Sequence, residues 1–455
     1  MTVSVTCGGE MYRVIQWSAG GAYRPPAPRR PYGWRAMTAT ARVASLAMCV
    51  ALGLAGCASS PEPSTAGPST TSTTTGAPNP ALKTIDPASL RKVVEQAAKD
   101  LLVPGAMVVL RTPQGTFDVG VGTTELGATT PPTADTHFRI ASNTKTFTAA
   151  LIVLLAQDGK LKFTDPVSNY VPDVPDGANI TIADLLTMRS GLYNYTGAPE
   201  LAKILDTDPA KAWTPQEALA IAFAHPREFA PGAEYDYNNT NYALLGLVAE
   251  KVGGRPLADQ FQERFFGPFG LSQTSLPASG DTQIPSPSSH GYMYGDSRYA
   301  LADVEYPDQM QDEMHAGTLK PVDYTDQNPS YATAAGGAIS TANDLATWIK
   351  TLVSGKVFDA DYQKQWLDSL QVEDPSAPGG QEYGYGISYQ RYSPTAQMYY
   401  HGGELPGFNS FIGHDPDADV TLVIWTNLTL SPDGRTTANA MLPIVLKEVY
   451  KDLPF

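Results

Sequence analysis

Cysteine is scarce in this sequence, and all three cysteines lie near the amino terminus, at Cys7, Cys49 and Cys57. The stretch from residue 58 to residue 455 therefore contains no thiol. A cysteine nucleophile, a disulfide framework and zinc bound by thiolates are excluded for that stretch.

Motifs that mark several classes of hydrolase are also missing. No Gly-x-Ser-x-Gly sequence is present, so an α/β-hydrolase is unsupported. Neither His-Glu-x-x-His nor His-x-His-x-Asp-His occurs, so metal-dependent hydrolysis is unsupported. We predict that the protein uses neither a metal nor a cofactor.

Charged residues are few, and acids dominate among them. They make up 17% of the chain, against 42% apolar residues, which suits one large globular domain with tails. Six arginines but only one acid, Glu10, precede Cys57, so the rest of the chain carries 25 basic and 45 acidic side chains. Such an acidic surface argues against nucleic acid or an anionic membrane surface as the main partner.

One apolar run has the features of a targeting segment. Arg42 supplies a positive charge, and residues 43–56 have the length of the hydrophobic part of a signal peptide. The run ends in Leu54-Ala55-Gly56-Cys57, which resembles a bacterial lipobox, where the cysteine is lipidated and becomes the mature amino terminus. An ordinary signal peptide cleaved nearby is the alternative. Lipid chains on Cys57 would anchor the protein to the cell membrane, facing outside the cytoplasm, with no other membrane contact.

These features divide the chain into four parts. Residues 1–36 are an extension that does not belong to the signal; a start codon assigned too far upstream, or an extended signal with Arg29-Arg30 as a twin-arginine pair, would explain it. Residues 37–57 are the lipoprotein signal peptide. Residues 58–84 form a Ser/Thr/Pro linker that cannot bury enough surface to fold. Residues 85–455 form the folded domain.

Hydrophobic periodicity predicts strands at both ends of the domain and helices between them. Predicted strands cover residues 106–111, 117–121, 383–389, 396–400, 408–413 and 420–426. Predicted helices cover residues 89–102, 142–158, 181–188, 215–223, 240–252, 342–353 and 436–453. We therefore expect an α/β (α+β) fold, in which an antiparallel sheet built from both termini is flanked by helices and lies beside a mostly helical lobe.

The first candidate motif is Ser142-Asn-Thr-Lys145, which opens a strongly apolar helix. The helix start places the Ser142 hydroxyl at the positive end of the helix dipole, and Lys145 lies on the same face. Burial would lower the pKa of Lys145, so that a neutral amine could accept the serine proton. Alternatively, Ser142 only caps a core helix. Ser-x-x-Lys alone is not specific, since Ser89-Leu-Arg-Lys92 also has this spacing.

The second motif is Tyr237-Asn-Asn239, and Tyr237 alone among 23 tyrosines heads a Tyr-x-Asn triplet. Lys145 beside the phenol would stabilise its anion, making Tyr237 a base toward serine or the attacking water. The Asn239 amide could hold both Lys145 and a substrate carbonyl. A turn that uses Tyr237 only for packing is the alternative. Whether Lys145 or Tyr237 is the working base stays open, because coupled groups share protons.

The third motif, His401-Gly402-Gly403, follows the strand predicted at 396–400, where an edge strand can line a cleft. Its glycines would let a substrate backbone lie alongside. The N–H of Glu404 could pair with that of Ser142 as an oxyanion hole. His401 would supply a hydrogen bond or, when protonated, a charge. A satisfied turn histidine is the alternative, and His315-Ala-Gly317 shows that the pattern is not specific.

The three motifs, in this order and with 95 and then 164 residues between their first members, resemble those of the class C β-lactamase and D-alanyl-D-alanine carboxypeptidase family, within the penicillin-binding-protein superfamily. That family also includes β-lactamase-type esterases. The resemblance implies an acyl-enzyme at Ser142 activated by Lys145 and Tyr237, and the fold expected above. It covers nearly all of residues 85–428, with supporting segments at 159–167, 182–192, 231–232, 336–345 and 401–408.

The third motif departs from the family pattern in a way that bears on the substrate. Class C β-lactamases typically carry Lys-Thr-Gly there, and a histidine at position 401 is more similar to the carboxypeptidase branch. Gly402, however, lacks the hydroxyl that in the family helps to hold a terminal carboxylate. The departure leaves room for ester or amide substrates without a carboxylate.

Three functions follow as hypotheses. The first is a serine acyl hydrolase acting at the cell wall on peptidoglycan D-Ala-D-Ala peptides or on β-lactams. The second is a carboxylesterase that acts on small molecules with the same residues. The third is a non-catalytic binding lipoprotein, which requires that Ser142, Lys145 and Tyr237 do not converge. The sequence leaves the oligomeric state open, and it does not show whether residues 280–330 cover the site.

Overall fold

A computed structural model describes residues 81–302, 304–377 and 379–454. The predicted extension, the signal peptide with Cys57, and residues 58–80 of the predicted linker lie outside the described residues. Lys83 N donates to Val449 O at 2.9 Å, and Leu82 forms a β-bridge with Tyr450. The described chain is thus tied to the domain slightly before residue 85. No helix in the described ranges combines the length and the apolar character needed to cross a bilayer.

The bounds of the regular elements are as follows. The described residues contain the α-helices α1 (Pro87–Asp100), α2 (Thr144–Gln157), α3 (Ile182–Leu186), α4 (Pro199–Thr207), α5 (Pro215–Phe223), α6 (Asn239–Gly253), α7 (Leu257–Phe261), α8 (Arg298–Leu301), α9 (Asp308–His315), α10 (Thr333–Gly336), α11 (Ala342–Val353), α12 (Ala360–Asp368) and α13 (Thr437–Val449). They contain the strands β1 (Gly105–Thr112), β2 (Gly115–Gly122), β3 (Phe138–Arg139), β4 (Tyr292–Met293), β5 (Val322–Asp323), β6 (Ile339–Ser340), β7 (Gln371–Val372), β8 (Glu382–Tyr383), β9 (Ser388–Ser393), β10 (Ala396–Leu405), β11 (Phe408–Asp415) and β12 (Val420–Thr426).

The main sheet contains strands from both ends of the domain, in the order β2-β1-β12-β11-β10-β9-β8-β7. Every neighbouring pair is antiparallel, and β1 pairs with β12 from Ala106 opposite Thr426 to Arg111 opposite Thr421. Helices α1 and α13 pack on one another beside the sheet, and α11 packs against β11 and β12. This arrangement confirms the predicted fold class, because strands β1 and β2 close the sheet with β9–β12 after the helical lobe has been inserted.

The helical lobe is built around α2, whose residues from Thr144 to Ala156 are all buried. The rings of Phe147 and Trp348 stack with centroids 4.2 Å apart and join α2 to α11. Helix α6 packs against α2, and Gly254, directly after its last residue, provides the left-handed cap with a φ of +69°. Because α2 runs through the centre of the lobe, a polar side chain in its first turn is held rigidly between lobe and sheet.

Three predicted elements differ from the structure in ways that affect the site. The helix predicted from residue 142 begins with a 3₁₀ turn, Ala141–Asn143, so Ser142 precedes α2. The strand predicted at 383–389 is two strands, because Gly386 with φ +72° turns the chain between β8 and β9. The strand predicted to end at residue 400 continues to Leu405, so the His401 motif lies within β10.

Candidate active site

Ser142 lies in the tight turn that links β3 to α2. Ala141 has φ +50°, a left-handed conformation that is uncommon for a residue with a side chain and that concentrates at functional sites. Asn143 Nδ2 fixes the turn by donating to Ile140 O at 3.0 Å and to Ser410 Oγ on β11 at 2.8 Å. Ser142 is partly exposed, whereas the residues on both sides of it are buried.

Lys145 is completely buried one turn further along, and its amine contacts three oxygen atoms. Nζ lies 2.9 Å from Ser142 Oγ, 2.7 Å from Asn239 Oδ1 and 2.8 Å from Ala335 O. Burial lowers the pKa of Lys145 well below its usual value. The structure therefore brings the first two sequence motifs together at one nitrogen atom.

The partners of Lys145 constrain how a neutral amine would be oriented. The Asn239 amide oxygen and the Ala335 carbonyl can only accept hydrogen bonds, whereas the Ser142 hydroxyl can also donate one. A neutral amine has two hydrogens and one lone pair. If the hydrogens point to the two obligate acceptors, the lone pair faces the hydroxyl of Ser142. This geometry suits removal of the serine proton.

Tyr237 completes the cluster from the loop before α6. Its hydroxyl is hydrogen-bonded to Ser142, and Lys145 Nζ lies 4.9 Å from the centre of its ring. Asn238 holds the loop by capping α6, since its side chain accepts from Thr240 N at 2.8 Å. Burial raises the pKa of Tyr237 above its usual value, against the opposing effect of the bond to Ser142. Tyr237 is therefore a neutral phenol at neutral pH and not the phenolate that the sequence suggested.

Asn239 is fixed at both ends of its amide. Its Oδ1 accepts from Lys145, as noted above, and its Nδ2 donates to Thr196 Oγ1 at 2.8 Å. Its backbone N–H donates to Asn194 Oδ1 at 3.1 Å. Thr196 and Asn194 carry no signal in the sequence, because both come from a loop more than 40 residues earlier that contains no motif.

His401 lies behind the cluster and is 2% exposed. Its Nδ1 lies 2.6 Å from Gly402 O and its Nε2 lies 3.1 Å from the Tyr383 hydroxyl. A carbonyl only accepts, so Nδ1 carries the proton and Tyr383 donates to Nε2. Burial and the neighbouring Lys145 lower the pKa of His401 to about 3. His401 is therefore neutral at physiological pH, and the suggestion that it supplies charge to a substrate is wrong for this environment.

The strand that carries His401 is an edge only over its second half. Pairing between β10 and β9 ends at Tyr400 opposite Ser388, whereas pairing with β11 continues to Leu405. The edge of residues 401–405 that β9 does not cover lies against the turn that contains Ser142. A Cβ atom at Gly403 would lie 2.3 Å from Ile140 O, so glycine is needed for this close approach. Glycine is thus required at position 403 because the strand packs against the turn. The sequence had instead suggested that the glycines make room for a substrate backbone.

A narrow cavity of about 40 Å³ opens beside Ser142. Its polar wall includes Tyr237, Asn239 and Glu404, and its apolar wall includes Leu405 and Leu301 of α8. The segment 280–330 therefore does contribute to the site. A larger depression of about 370 Å³, around Arg189 and Asp368, contains none of the residues of the three motifs.

A buried carboxyl group lies one layer away from the cluster. Glu373 is 8% exposed, and its Oε1 accepts from Gln381 Nε2 at 2.6 Å. It is also hydrogen-bonded to Tyr235, two residues before Tyr237, and Arg189 is its neighbouring cation. Burial raises the pKa of Glu373 to about 7, although these partners oppose the rise. The sequence around Glu373 contains no motif that predicts its burial beside Tyr235 and Arg189.

The raised pKa of Glu373 makes stability depend on pH. Between the ordinary value of 4.5 and about 7, the folded state holds this proton more tightly than the unfolded state does. The contribution of Glu373 to the free energy of unfolding is complete below pH 4.5 and is lost as the pH rises through 7. The loss is on the order of 3 kcal/mol. We expect Glu373→Gln to lose less thermal stability than the wild type between pH 5 and pH 8. Equal changes in melting temperature would contradict this assignment.

Comparison with known proteins agrees with this geometry. The beta-lactamase family model matches residues 90–445. Among solved structures, a D-stereospecific amidohydrolase from Streptomyces sp. is 30% identical, with a TM-score of 0.66 and coverage of 78% of this chain and 98% of that chain. The D-amino acid amidase of Ochrobactrum anthropi SV3, in complex with D-phenylalanine, is 25% identical, with a TM-score of 0.65 and coverage of 79% and 98%.

A curated relative extends the comparison to a longer protein. The Unguisins hydrolase ungD' of Aspergillus campestris is 25% identical over 361 residues, which are 76% of this chain. The match spans only 62% of the length of that relative. With the family model covering most of the chain and the serine, lysine and tyrosine motifs meeting at one site, this chain belongs to the beta-lactamase family of serine hydrolases.

Proposed function

We propose that this protein is an acyl hydrolase in which Ser142 is the nucleophile and Lys145 is the general base. The observation that carries the proposal is the environment of Lys145 Nζ, which is fully buried, lies 2.9 Å from Ser142 Oγ and has two obligate acceptors as its other partners. A buried lysine without a carboxylate partner exists more readily as a neutral amine, which is the form that can accept a proton.

The reaction would run in two steps. In the first, Ser142 Oγ bonds to the substrate carbonyl carbon while its proton passes to Lys145, and the bond to the leaving group breaks as that group takes up a proton. In the second, water attacks the acyl-enzyme, the Oγ–carbon bond breaks and Ser142 regains its proton. The backbone N–H groups of Ser142 and Glu404, two residues that line the same cavity, are the proposed oxyanion hole.

Tyr237 is proposed as the donor of the leaving-group proton, because it is a neutral phenol that is hydrogen-bonded to Ser142. Replacing it by phenylalanine should lower amide hydrolysis by about 10²–10⁴-fold. Hydrolysis of a nitrophenyl ester should fall much less, since nitrophenolate leaves without a proton. Steady-state kinetics of Tyr237→Phe on an amide and an ester with the same acyl group measure this difference. Equal losses would assign Tyr237 another role.

For the substrate, we propose amides and esters that lack a terminal carboxylate. Gly402 provides no hydroxyl for a carboxylate, and two solved structures that are similar to this chain, at 25–30% identity, are amide-hydrolysing enzymes by name. D-Ala-D-Ala carboxypeptidase and β-lactamase activity remain the competing hypothesis. The non-catalytic alternative loses its main support, because it required that Ser142, Lys145 and Tyr237 do not meet.

A panel of substrates on the full chain tests the proposal. It contains D-phenylalanine amide, a short nitrophenyl ester, a D-Ala-D-Ala peptide and a fluorescent penicillin, each also tested with Ser142→Ala. We expect turnover of the ester and the amide, lost in Ser142→Ala. Turnover of the D-Ala-D-Ala peptide alone would favour the competing hypothesis. Turnover of none, with no covalent adduct on Ser142, would refute acyl transfer.

We also propose that the protein is anchored outside the cytoplasm through lipid on Cys57. The proposal is supported by the lipobox-like end of the apolar run at residues 43–56. Mass spectrometry of the amino-terminal peptide from the native host would detect a lipid-modified Cys57. An unmodified peptide that starts at another residue would contradict it.

A further inference from the structure

The charge of the cavity wall distinguishes this site from one that receives a carboxylate. Among the described residues that line the cavity beside Ser142, Glu404 is the only one with a carboxyl group, and none is a lysine, arginine or histidine. Lys145 does not line this cavity, and its amine contacts Ser142, Asn239 and Ala335. The wall therefore presents a carboxyl group and no basic side chain to a bound substrate.

Glu404 is placed at this wall by the strand. It follows Gly403, which is packed against the Ser142 turn, and it pairs with Asn409 on β11. It lies on the half of β10 that is not covered by β9. Glu404 also acts on the two phenols that line the cavity: burial is the main cause of the raised pKa of Tyr237 and of Tyr331, and Glu404 adds to the rise in both. These placements put the carboxylate near the reacting centre.

The geometry points to Glu404 as the residue that selects substrates with a positive charge beside the scissile carbonyl, namely amides and esters of amino acids or peptides with a free α-ammonium group. The inference rests on the proposed function and names its substrate class. An α-ammonium nitrogen, two bonds from the carbonyl carbon, would approach Glu404 when that carbon approaches Ser142. A terminal carboxylate in the same place would be repelled.

The apolar wall limits the acyl group. Leu405 follows Glu404 on β10, and Leu301 and Tyr331 face the same cavity of about 40 Å³. A small side chain on the acyl residue would contact this wall while the ammonium faces Glu404. The products of the reaction would be an amino acid with a free amine and carboxylate and the protonated leaving group, with one water consumed.

The test compares alanine p-nitroanilide with N-acetyl-alanine p-nitroanilide, which has the same acyl carbon without the charge. Both enantiomers are measured, and the faster one is used. We expect kcat/KM for the free amine to exceed that for the acetylated compound by at least tenfold in the wild type. In Glu404→Gln this ratio should fall at least tenfold. Glu125→Gln, which makes the same charge change at an exposed residue outside the cavity, should keep the wild-type ratio.

A neutral nitrophenyl ester separates failure of this inference from failure of the proposed function. Suppose that Ser142 hydrolyses the ester, but the kcat/KM ratio of the two anilides is near one or the free-amine anilide is not hydrolysed. Either result overturns only the role of Glu404. Equal losses on both anilides in Glu404→Gln overturn it as well, since they indicate a structural effect. Absence of ester and anilide hydrolysis overturns both.

Discussion

Replacing Lys145 by methionine should lower the rate at which a nitrophenyl ester acylates Ser142 by about 10²–10⁴-fold, the range for loss of a general base. Methionine keeps most of the length and apolar volume of the lysine side chain but cannot accept the serine proton. The Ser142 hydroxyl would remain in place, since the turn is held independently by Asn143. Stopped-flow release of nitrophenolate measures the rate, and thermal unfolding checks that the variant is folded.

Lys145→Arg separates proton transfer from charge. A guanidinium keeps the positive charge but does not lose its proton in proteins. If Lys145 is the base, Lys145→Arg should be as slow as Lys145→Met. A Lys145→Arg variant that is folded and retains most of the rate would show that the site requires a cation and not an amine. Ser142→Ala should give no covalent adduct by intact mass, which sets the baseline for both.

The pH profile provides a second check on the same base. Burial lowers the pKa of Lys145, so acylation should decline as the pH falls through that lowered value. His401 cannot cause the decline near neutrality, because its pKa is about 3. Glu373 could, with a pKa of about 7. An acid limb that persists in Glu373→Gln is therefore attributable to Lys145, and one that disappears is not.

Much of the fold could be predicted because its strongest signals are local. The apolar run after Lys145 can only be a buried helix, and the strand pattern at both ends of the domain requires partners, which each end finds in the other. The two strands whose bounds were predicted wrongly depend on glycines. Gly386 breaks one predicted strand, and the β10 strand continues through glycines that have no strand preference of their own.

The members of the site could be predicted better than their states. Ser142, Lys145 and Tyr237 are identified by type and order, but protonation depends on burial by elements far away in sequence. Tyr237 was expected to become an anion beside Lys145, and the surrounding core instead keeps it neutral. His401 was expected to face a substrate, and a hydroxyl from β8, at Tyr383, holds its second ring nitrogen. Glu373 has no motif at all.

Gly403→Ala, which adds one methyl group to the site, should strongly lower both stability and activity. Its Cβ would lie 2.3 Å from Ile140 O, 2.6 Å from Ser410 Oγ and 2.9 Å from Asn143 Nδ2. The first of these is backbone, and the other two belong to the hydrogen bond that fixes the Ser142 turn. We expect a loss of about 1–3 kcal/mol in stability from overpacking. We expect a fall in kcat/KM of about 100-fold, because the strand and the nucleophile turn must separate.

Gly402→Ala is the matched control, since it adds the same methyl group one residue earlier in the same strand. The nearest atoms to its Cβ are Ser410 O at 3.7 Å and the Asn439 amide at 3.9 Å, which are ordinary contacts. This variant should keep its melting temperature and its ester kinetics near those of the wild type. If both variants lose activity equally, the strand is sensitive to any side chain. If neither variant loses activity, the Ser142 turn can move away from β10 without loss of function. Close packing of the turn against β10 would then not be what positions Ser142.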